Sequence, residues 1–314
     1  MIRTHLGSEL IIDDSLGVAG GFVASAGDGP GRHGVFYATS DRMAGPALVW
    51  ALRAGVDHLH LVAETEDAGP LARRVGDPAN LRVDVVAVSG VDLVPAVPDP
   101  IEPAPTLDAS AWELASIISE AGARPVDDHG RIVAEVAGLE VARIVRSPGE
   151  PPGIEVGVGE ADRELHSLVH STMDSGTAIR RAVGMVAAER QRHSMHPLAR
   201  MARERWLRSV LLDDPGLVGA RTLESVPPLR ARSTVLGNVP SAAVGELADG
   251  RPVVVVCSTG IDLDVVPEAA DYRRRDSPDA ELIIVVPERD RHSTTASLVE
   301  ITPRASMVTV DPPW

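Results

Sequence analysis

The chain has 314 residues, of which 44% are hydrophobic, and a formal net charge of −15 at pH 7. This length and composition are comfortable for two ordered globular domains. Because all thirty basic residues are arginine, the sequence excludes a lysine Schiff base, a lysine general base and a lysine-based phosphate loop.

Cys257 is the single cysteine, which excludes an internal disulfide and a cysteine-rich zinc site. The sequence has no apolar run of about 18 residues and does not begin with a signal pattern. We therefore expect a cytoplasmic protein that does not contact membranes. The negative net charge argues against a surface that coats nucleic acid as a whole, but it leaves a local basic face possible.

Short apolar strands alternate with amphipathic helices between His33 and Gly90. The pattern predicts strands at GVFYATS, HLHLVAE and RVDVVAVSG, with helices at MAGPALVWALRAG and AGPLARRVGD. This alternation is typical of right-handed βαβ units on a parallel sheet, and it predicts an N-terminal Rossmann-like α/β domain. The proline-rich segment 94–108 reads as a linker, so we predict domains at residues 1–105 and 106–314.

The second predicted domain begins with a helix near Ala109–Ala121. Three antiparallel strands follow, at RIVAEVAG, LEVARIVR and GIEVGVGE, and then an arginine-rich helical region to about Leu212. The last third returns to a βαβ pattern, with strands at RPVVVVCSTG, ELIIVVPE and ASMVTV and helices around VPEAADYRRR and SLVEI. The sequence thus predicts a mixed α/β domain with a C-terminal βαβ region.

A helix followed by two acidic strands resembles the core of the restriction-endonuclease-like PD-(D/E)XK superfamily. Residues 109–170 carry the resemblance, with Glu140 and Glu155 at the positions of the two acids and Glu113 as the additional helix glutamate. The resemblance implies a metal-dependent phosphodiesterase core in which Glu140 and Glu155 bind Mg²⁺ or Mn²⁺. Gly157 stands at the position of the superfamily's lysine, whose charge stabilises the attack on phosphate, so the resemblance implies a weak or inactive core.

Strand geometry tests whether these glutamates can meet. A loop centred near residues 149–150 pairs Glu140 with about Gly159, so a bulge near the prolines is needed to align Glu140 with Glu155. We expect the two strands to be antiparallel neighbours, with the helix that contains Glu113 packed across them. The alternative is a solvated face of an antiparallel sheet, on which polar residues alternate with apolar ones.

Arginines are concentrated between residues 180 and 208, where eight of them stand against two glutamates. Such a segment is typical of a face that contacts phosphates, and it predicts nucleic acid as a partner. The residues predicted to make that contact are Arg180, Arg181, Arg200, Arg203, Arg205 and Arg208. The alternative is that these arginines pair with the protein's own surplus carboxylates or with a second subunit in a homodimer.

Two further patterns bear on ligands. His166 and His170, and likewise His193 and His196, are spaced to share a helix face, but without a neighbouring acid they are more typical of ordinary histidine faces. The CSTGID turn follows a predicted strand, where α/β sheets bind ligands. If it binds a phosphate or cofactor, Ser258, Thr259 and Asp262 line the site; otherwise it is a plain connection.

Two hypotheses of different classes follow. In the first, the protein has a degenerate nuclease-like core that binds nucleic acid. In the second, it is a non-catalytic sensor or scaffold that binds a small nucleotide-like ligand over the CSTGID and ATSDR turns. The acidic strand pair and the arginine segment favour the first, whereas the missing lysine and the negative charge favour the second.

Overall fold

The computed structural model describes residues 12–18, 21–26, 32–107, 109–146, 149, 151–160, 162–164, 173–191, 196–231 and 239–314, with the backbone alone for 12–18, 21–26 and 199. The chain is a mixed α/β protein whose described strands form three sheets. Two compact units are present. The first unit consists of Met1–Glu102, Gly260–Ile284 and Arg289–Met307, and the second of Pro103–Thr259, Val285–Glu288 and Val308–Trp314. The first unit therefore includes segments from the last third of the chain.

The first sheet has the strand order β1-β2-β3-β4-β5-β6. Its elements are β1 Ile12–Val18, β2 Gly21–Ala26, β3 His33–Ala38, α1 Ala44–Ala54, β4 His58–Glu64, α2 Thr65–Val75, β5 Arg82–Ser89 and β6 Asp92–Pro95. Strands β3, β4 and β5 are parallel, which confirms the predicted βαβαβ pattern. Antiparallel strands extend this unit on both sides. The order does not reverse along this sheet, so no topological switch point arises in it, and the Rossmann-like assignment stays a prediction.

Alternation along the parallel strands gives the first sheet two different faces. One face packs on the helices: Phe36 is buried against Trp50 of α1, and a Cβ on Gly34 would lie 2.6 Å from the same indole ring. The other face has a small apolar cluster of Val35, Val62 and Val86 near the middle of the strands. Because side chains alternate, histidines at the start of β3 and β4 share this second face.

The second sheet is antiparallel throughout, with the order β10-β9-β8-β7. Its elements are α3 Ala109–Glu120, β7 Arg124–Asp127, β8 Ile132–Val136, β9 Leu139–Val145, β10 Gly153–Val156 and α4 Ser175–Gln191. The predicted helix and the three predicted antiparallel strands are confirmed. The expected packing is wrong in one respect: α3, which carries Glu113, packs mainly on β7 and β8, and α4 packs on β9 and β10. The restriction-endonuclease-like arrangement is not confirmed and stays a prediction.

A β-bulge in β9 determines which side chains share the polar face of the second sheet. Ala134 pairs with Ala142, whereas the next residue, Glu135, pairs with Glu140, so β9 has one extra residue here. The inserted residue reverses the alternation, because a bulge places two residues opposite one. Glu140 therefore lies on the same face as Glu135 and Glu155. The strand register predicted from the sequence needed a bulge near the prolines to align the two glutamates, but the observed bulge lies in β9.

The third sheet has the order β11-β12-β13-β14-β15. Its elements are α5 Arg203–Asp213, β11 Ala220–Ser225, β12 Ser241–Leu247, β13 Pro252–Cys257, α6 Val265–Asp276, β14 Glu281–Val286, α7 Ser293–Ile301 and β15 Ala305–Thr309. The strands and helices predicted for the last third are confirmed. No helix in the described part of the chain is long and apolar enough to span a membrane.

Candidate functional site

The two glutamates of the predicted nuclease site contact the same arginine. Nη1 of Arg163 is 3.0 Å from Oε1 of Glu140, and its Nε is 3.9 Å from Oε2 of Glu155. Arg143 also binds Glu155, with 2.9 Å between Nε and Oε2. Guanidinium groups thus neutralise the carboxylates to which the resemblance assigns a metal. Glu113 is exposed on α3.

Burial controls the charge state of Glu140. Burial is the largest influence and raises the pKa of Glu140 above its usual value, although Arg163 and Arg205 lower it. A carboxylate at 9% exposure needs nearby positive charge to stay ionised. Arg163 supplies that charge, but arginine does not release a proton near neutral pH and so cannot activate water. The observed arrangement is one of ion pairing.

Gly157, at the position of the missing lysine, has no room for a side chain. A Cβ there would lie 2.7 Å from the backbone nitrogen of Arg163 and 2.9 Å from its Cα. The φ angle of Gly157 is +144°, which disfavours residues other than glycine. Its amide donates a hydrogen bond to the carbonyl of Val141 at 2.8 Å. The glycine therefore lets the Arg163 segment approach β9.

Two of the arginines predicted to contact nucleic acid are internal. Arg205 and Arg208 are 3% and 2% exposed, and they bind the two carboxylate oxygens of Glu135. The N–O distances are 3.4 Å for Arg205 and 2.6 Å for Arg208. These side chains are not accessible to phosphates. For them, the alternative prediction that the arginines pair with the protein's own carboxylates is confirmed.

The other arginines of this segment differ in their surroundings. Arg180, Arg181 and Arg200 are exposed, whereas the guanidinium group of Arg203 lies 5.4 Å from the ring centroid of Trp314. Arg190 is 3% exposed and stacks on Trp206, and burial lowers its pKa to about 9. The described arginines of this segment therefore do not form one surface, and Arg192 lies outside the described residues.

The residues of the CSTGID turn interact with the protein's own groups. In the second unit, Ser258 and Thr259 are buried, and the Thr259 hydroxyl donates to Oε1 of Glu204 at 2.5 Å. In the first unit, Arg42 pairs with Asp262 at 3.4 Å. The amide of Gly45, in the first turn of α1, donates to Asp264 at 2.8 Å. The Asp264 carboxylate therefore accepts a hydrogen bond from a helix amide that would be needed to bind a phosphate.

A cluster of three histidines occupies the polar end of the first sheet. His33 pairs with His58 across β3 and β4, and His60 pairs with Asp84 across β4 and β5. His58 and His60 are two residues apart and therefore point to the same side. Within the described residues, these three histidines are the group of three or more possible ligands whose donor atoms lie within 4.8 Å of one another.

The distances in this cluster fit a transition metal. Nδ1 of His33 and Nε2 of His60 are 3.1 Å apart, and the ring centroids of His58 and His60 are 4.0 Å apart. Two nitrogens bound tetrahedrally at about 2.0–2.1 Å from a zinc ion are separated by about 3.3 Å. The His33–His60 pair is close to that separation, and the ligand atom of His58 lies within 4.8 Å of both. Imidazole nitrogens are ligands that Zn²⁺, Cu²⁺ and Ni²⁺ prefer.

Asp84 orients the third histidine. Its Oδ2 is 2.7 Å from Nε2 of His58, so a His58 that donates from Nε2 keeps the lone pair of Nδ1 for a metal. Burial lowers the pKa of His58 below its usual value, although Asp84 acts in the opposite direction. The neutral imidazole that metal binding requires is therefore favoured at neutral pH. The Asp84 side chain is 40% exposed, so solvent reaches the edge of the cluster.

Sequence reasoning missed this cluster, although the sequence carries a signal for it. The strand HLHLVAE contains histidines spaced by two, which places both on one face of a strand. The preceding parallel strand begins with His33, so aligning the starts of the two strands brings the third histidine beside them. The histidine pairs with helical spacing in the sequence are different ones. Of these, His166, His170 and His193 lie outside the described residues, and His196 accepts a hydrogen bond from the amide of Leu198 in a short 3-10 helix.

The comparisons add no relative from which a function could be transferred. No protein-family model matches the chain, and a search of curated proteins gives no match. The geometry of the described residues is therefore what indicates a function.

Proposed function

We propose that this protein binds a divalent transition metal, foremost Zn²⁺, through His33, His58 and His60. The observation that carries the proposal is the convergence of three imidazoles with donor atoms within 4.8 Å of one another. Three histidines are a ligand set used by zinc sites that keep a fourth position for water. The proposed activity is metal binding by the first unit, with Asp84 holding the ring of His58.

Three features of the cluster support metal binding over ordinary histidine packing. The His58 side chain is 13% exposed, and burial lowers the pKa of His58, which favours the neutral imidazole that binds metal. Nδ1 of His33 and Nε2 of His60 are 3.1 Å apart, close to the separation of two ligands on one zinc ion. The ligands also lie on adjacent strands, whose hydrogen bonds fix their spacing.

For the second unit, the resemblance to nucleases leads to a narrower proposal. The β7–β10 sheet serves as a non-catalytic core, because arginines occupy the carboxylates that Mg²⁺ or Mn²⁺ would need. Contact with nucleic acid would involve the exposed Arg180, Arg181 and Arg200 rather than the buried pair on Glu135. The nucleotide-like ligand at the CSTGID turn and the homodimer stay predictions.

Equilibrium dialysis against zinc, followed by elemental analysis, tests metal binding. Protein stripped with a chelator is expected to take up one zinc ion per chain. The variant with both His33→Gln and His58→Gln keeps similar side-chain volumes but removes two ligands, and it should hold no zinc at micromolar concentrations. Asp84→Asn, which removes the carboxylate that orients His58, should weaken binding about 10- to 100-fold.

His292→Gln is the matched control, because His292 lies in the first unit at the start of α7 and outside the cluster. This variant should bind zinc as the wild type does. Zinc should also stabilise the wild type against heat, by about 2.7 kcal/mol at a hundredfold excess over Kd, and should not stabilise the double variant. Equal zinc uptake by the wild type and a folded double variant would refute the site.

A further inference from the structure

A cavity of about 170 Å³ lies within the first unit, among α1, α2, α6 and α7. Its apolar lining includes Leu48, Val266, Ala270, Leu298 and Ile301. The cavity is on the helix face of the first sheet, whereas the histidines lie on the other face. It is therefore separate from the proposed metal site.

Arg273 gives the cavity a positive charge, and Asp77 is the carboxylate among the lining residues. Its Nη1 donates to the carbonyl oxygen of Pro303 at 2.7 Å and lies 3.4 Å from that of Arg304. Among the described residues, Arg273 forms no ion pair with a carboxylate. Burial, followed by the charges of Arg304 and Arg274, lowers the pKa of Arg273, although the charge of Glu281 acts in the opposite direction. A bound anion would offset both effects.

The other two arginines of the lining are already engaged. Arg74 pairs with Asp41 at 3.0 Å and with Asp271 at 3.2 Å. Arg274 is 3.5 Å from the same buried Asp271. These pairs engage the two guanidinium groups with carboxylates, whereas Arg273 donates to backbone carbonyls. Because Asp77 also lines the cavity, a ligand with one negative charge fits this lining better than a multiply charged anion.

The size of the cavity limits the ligand to a small molecule. A cavity of about 150 Å³ accepts a benzene ring, so 170 Å³ is enough for a ring or a branched alkyl group with one carboxylate. Drug-sized ligands occupy about 300–1,000 Å³ and are too large. The apolar lining favours a ligand with a hydrophobic body over inorganic phosphate.

We infer that this cavity binds a small organic monocarboxylate, with its carboxylate on Arg273 and its apolar body against Ala270 and Leu298. A guanidinium group binds a carboxylate through two parallel N–H donors, which fixes the orientation of the ligand as well as its charge. The apolar lining would then discriminate between carboxylates by the shape of their hydrophobic part. The site would make the first unit a carboxylate sensor as well as a metal-binding unit.

Titration with benzoate, followed by calorimetry or by ligand-observed NMR, tests the inference on the full chain. Benzoate should bind saturably, and benzyl alcohol, which has a similar shape but no charge, should bind at least tenfold more weakly. Arg273→Met should weaken benzoate binding about 10- to 100-fold, as expected for the loss of a charge-assisted hydrogen bond. Arg289→Met, which alters an exposed arginine of the first unit outside the cavity lining, should leave binding unchanged.

A second variant keeps every charge and fills the cavity instead. Ala270→Leu places a larger side chain in the apolar lining and should abolish benzoate binding while the circular-dichroism spectrum and the thermal unfolding transition of the protein persist. These two measurements report that the variant is folded, independently of the proposed metal site. The inference is overturned if benzoate does not bind saturably, if benzyl alcohol binds equally well, or if inorganic phosphate binds and benzoate does not. It is also overturned if benzoate binding survives both Arg273→Met and Ala270→Leu.

Discussion

Glu135→Gln should be among the most destabilising single substitutions in the second unit. The Glu135 side chain is 4% exposed, and each of its carboxylate oxygens contacts a different buried arginine, Arg205 or Arg208. Glutamine has nearly the same shape but carries no charge. The substitution would therefore leave two buried guanidinium groups without the negative charge that compensates them.

The magnitude follows from the geometry. At an effective dielectric constant of about 20, two opposite charges about 4 Å apart attract by about 4 kcal/mol, and Glu135 attracts two arginines. The arginines repel each other, and glutamine keeps part of the hydrogen bonding, so the net loss is smaller than the sum. Removing one member of a buried ion pair typically costs about 3–5 kcal/mol, and we expect that range here.

Urea unfolding followed by tryptophan fluorescence can measure this loss, because Trp112, Trp206 and Trp314 all lie in the second unit. With a slope of about 2 kcal/mol per molar urea, a loss of 4 kcal/mol lowers the midpoint by about 2 M. Glu246→Gln is the control, since Glu246 pairs with Arg221 at the surface and both side chains are about half exposed. It should cost at most about 1 kcal/mol.

A double variant separates the charge effect from a loss of packing. If uncompensated charge causes the instability, adding Arg208→Met to Glu135→Gln should cost much less than Arg208→Met costs in the wild type. Additive losses would show that packing rather than charge dominates. The reasoning is refuted if Glu135→Gln costs no more than Glu246→Gln.

Two further predictions concern Gly157 and His58. Gly157→Lys should lower the free energy of unfolding of the second unit by about 2–5 kcal/mol in urea, because the new Cβ would contact the Arg163 backbone and the backbone conformation is strained for a residue other than glycine. Gly149→Lys is the control: Gly149 also has a positive φ, but no atom lies within 4 Å of the added Cβ, so this substitution should cost less. Equal losses for the two variants would contradict the steric argument. Burial lowers the pKa of His58 in the folded protein. As the pH falls below about 6.5, His58 is therefore protonated in unfolded chains before it is protonated in folded ones, and the free energy of unfolding of the metal-free protein should decrease. Urea midpoints between pH 8 and 5 should fall less steeply in His58→Gln, and an unchanged slope would contradict this prediction.

The strands and helices could be predicted from the sequence because their signals are local. The βαβαβ segment follows from the alternation of apolar strands with amphipathic helices, and the antiparallel strands around Glu140 and Glu155 follow from a proline-glycine loop between two alternating runs. The position of the Glu113 helix was not predictable in this way, because α3 and α4 both have apolar faces that fit the same sheet. Only the packing decides which helix lies on which strands.

The candidate site was harder to predict because it depends on pairing between distant strands. His33 is 25 residues from His58 in the sequence, and the two meet only when the parallel register is known. The burial of Arg205 and Arg208 was equally inaccessible, since an arginine-rich helix has the same sequence whether it contacts phosphates or an internal glutamate. Arginine content therefore predicts positive charge but not its accessibility.

The sequence by itself determined the class of the protein and the chemistry that it lacks. Its periodicity specified the α/β elements, and the absence of lysine excluded lysine catalysis. The tertiary structure alone decided how the charges are paired. One inserted residue in β9 turned Glu140 toward Arg163, and the register of β3 and β4 brought three histidines together. Periodicity is a property of neighbouring residues, whereas a site depends on registers and bulges that form only when distant segments pack.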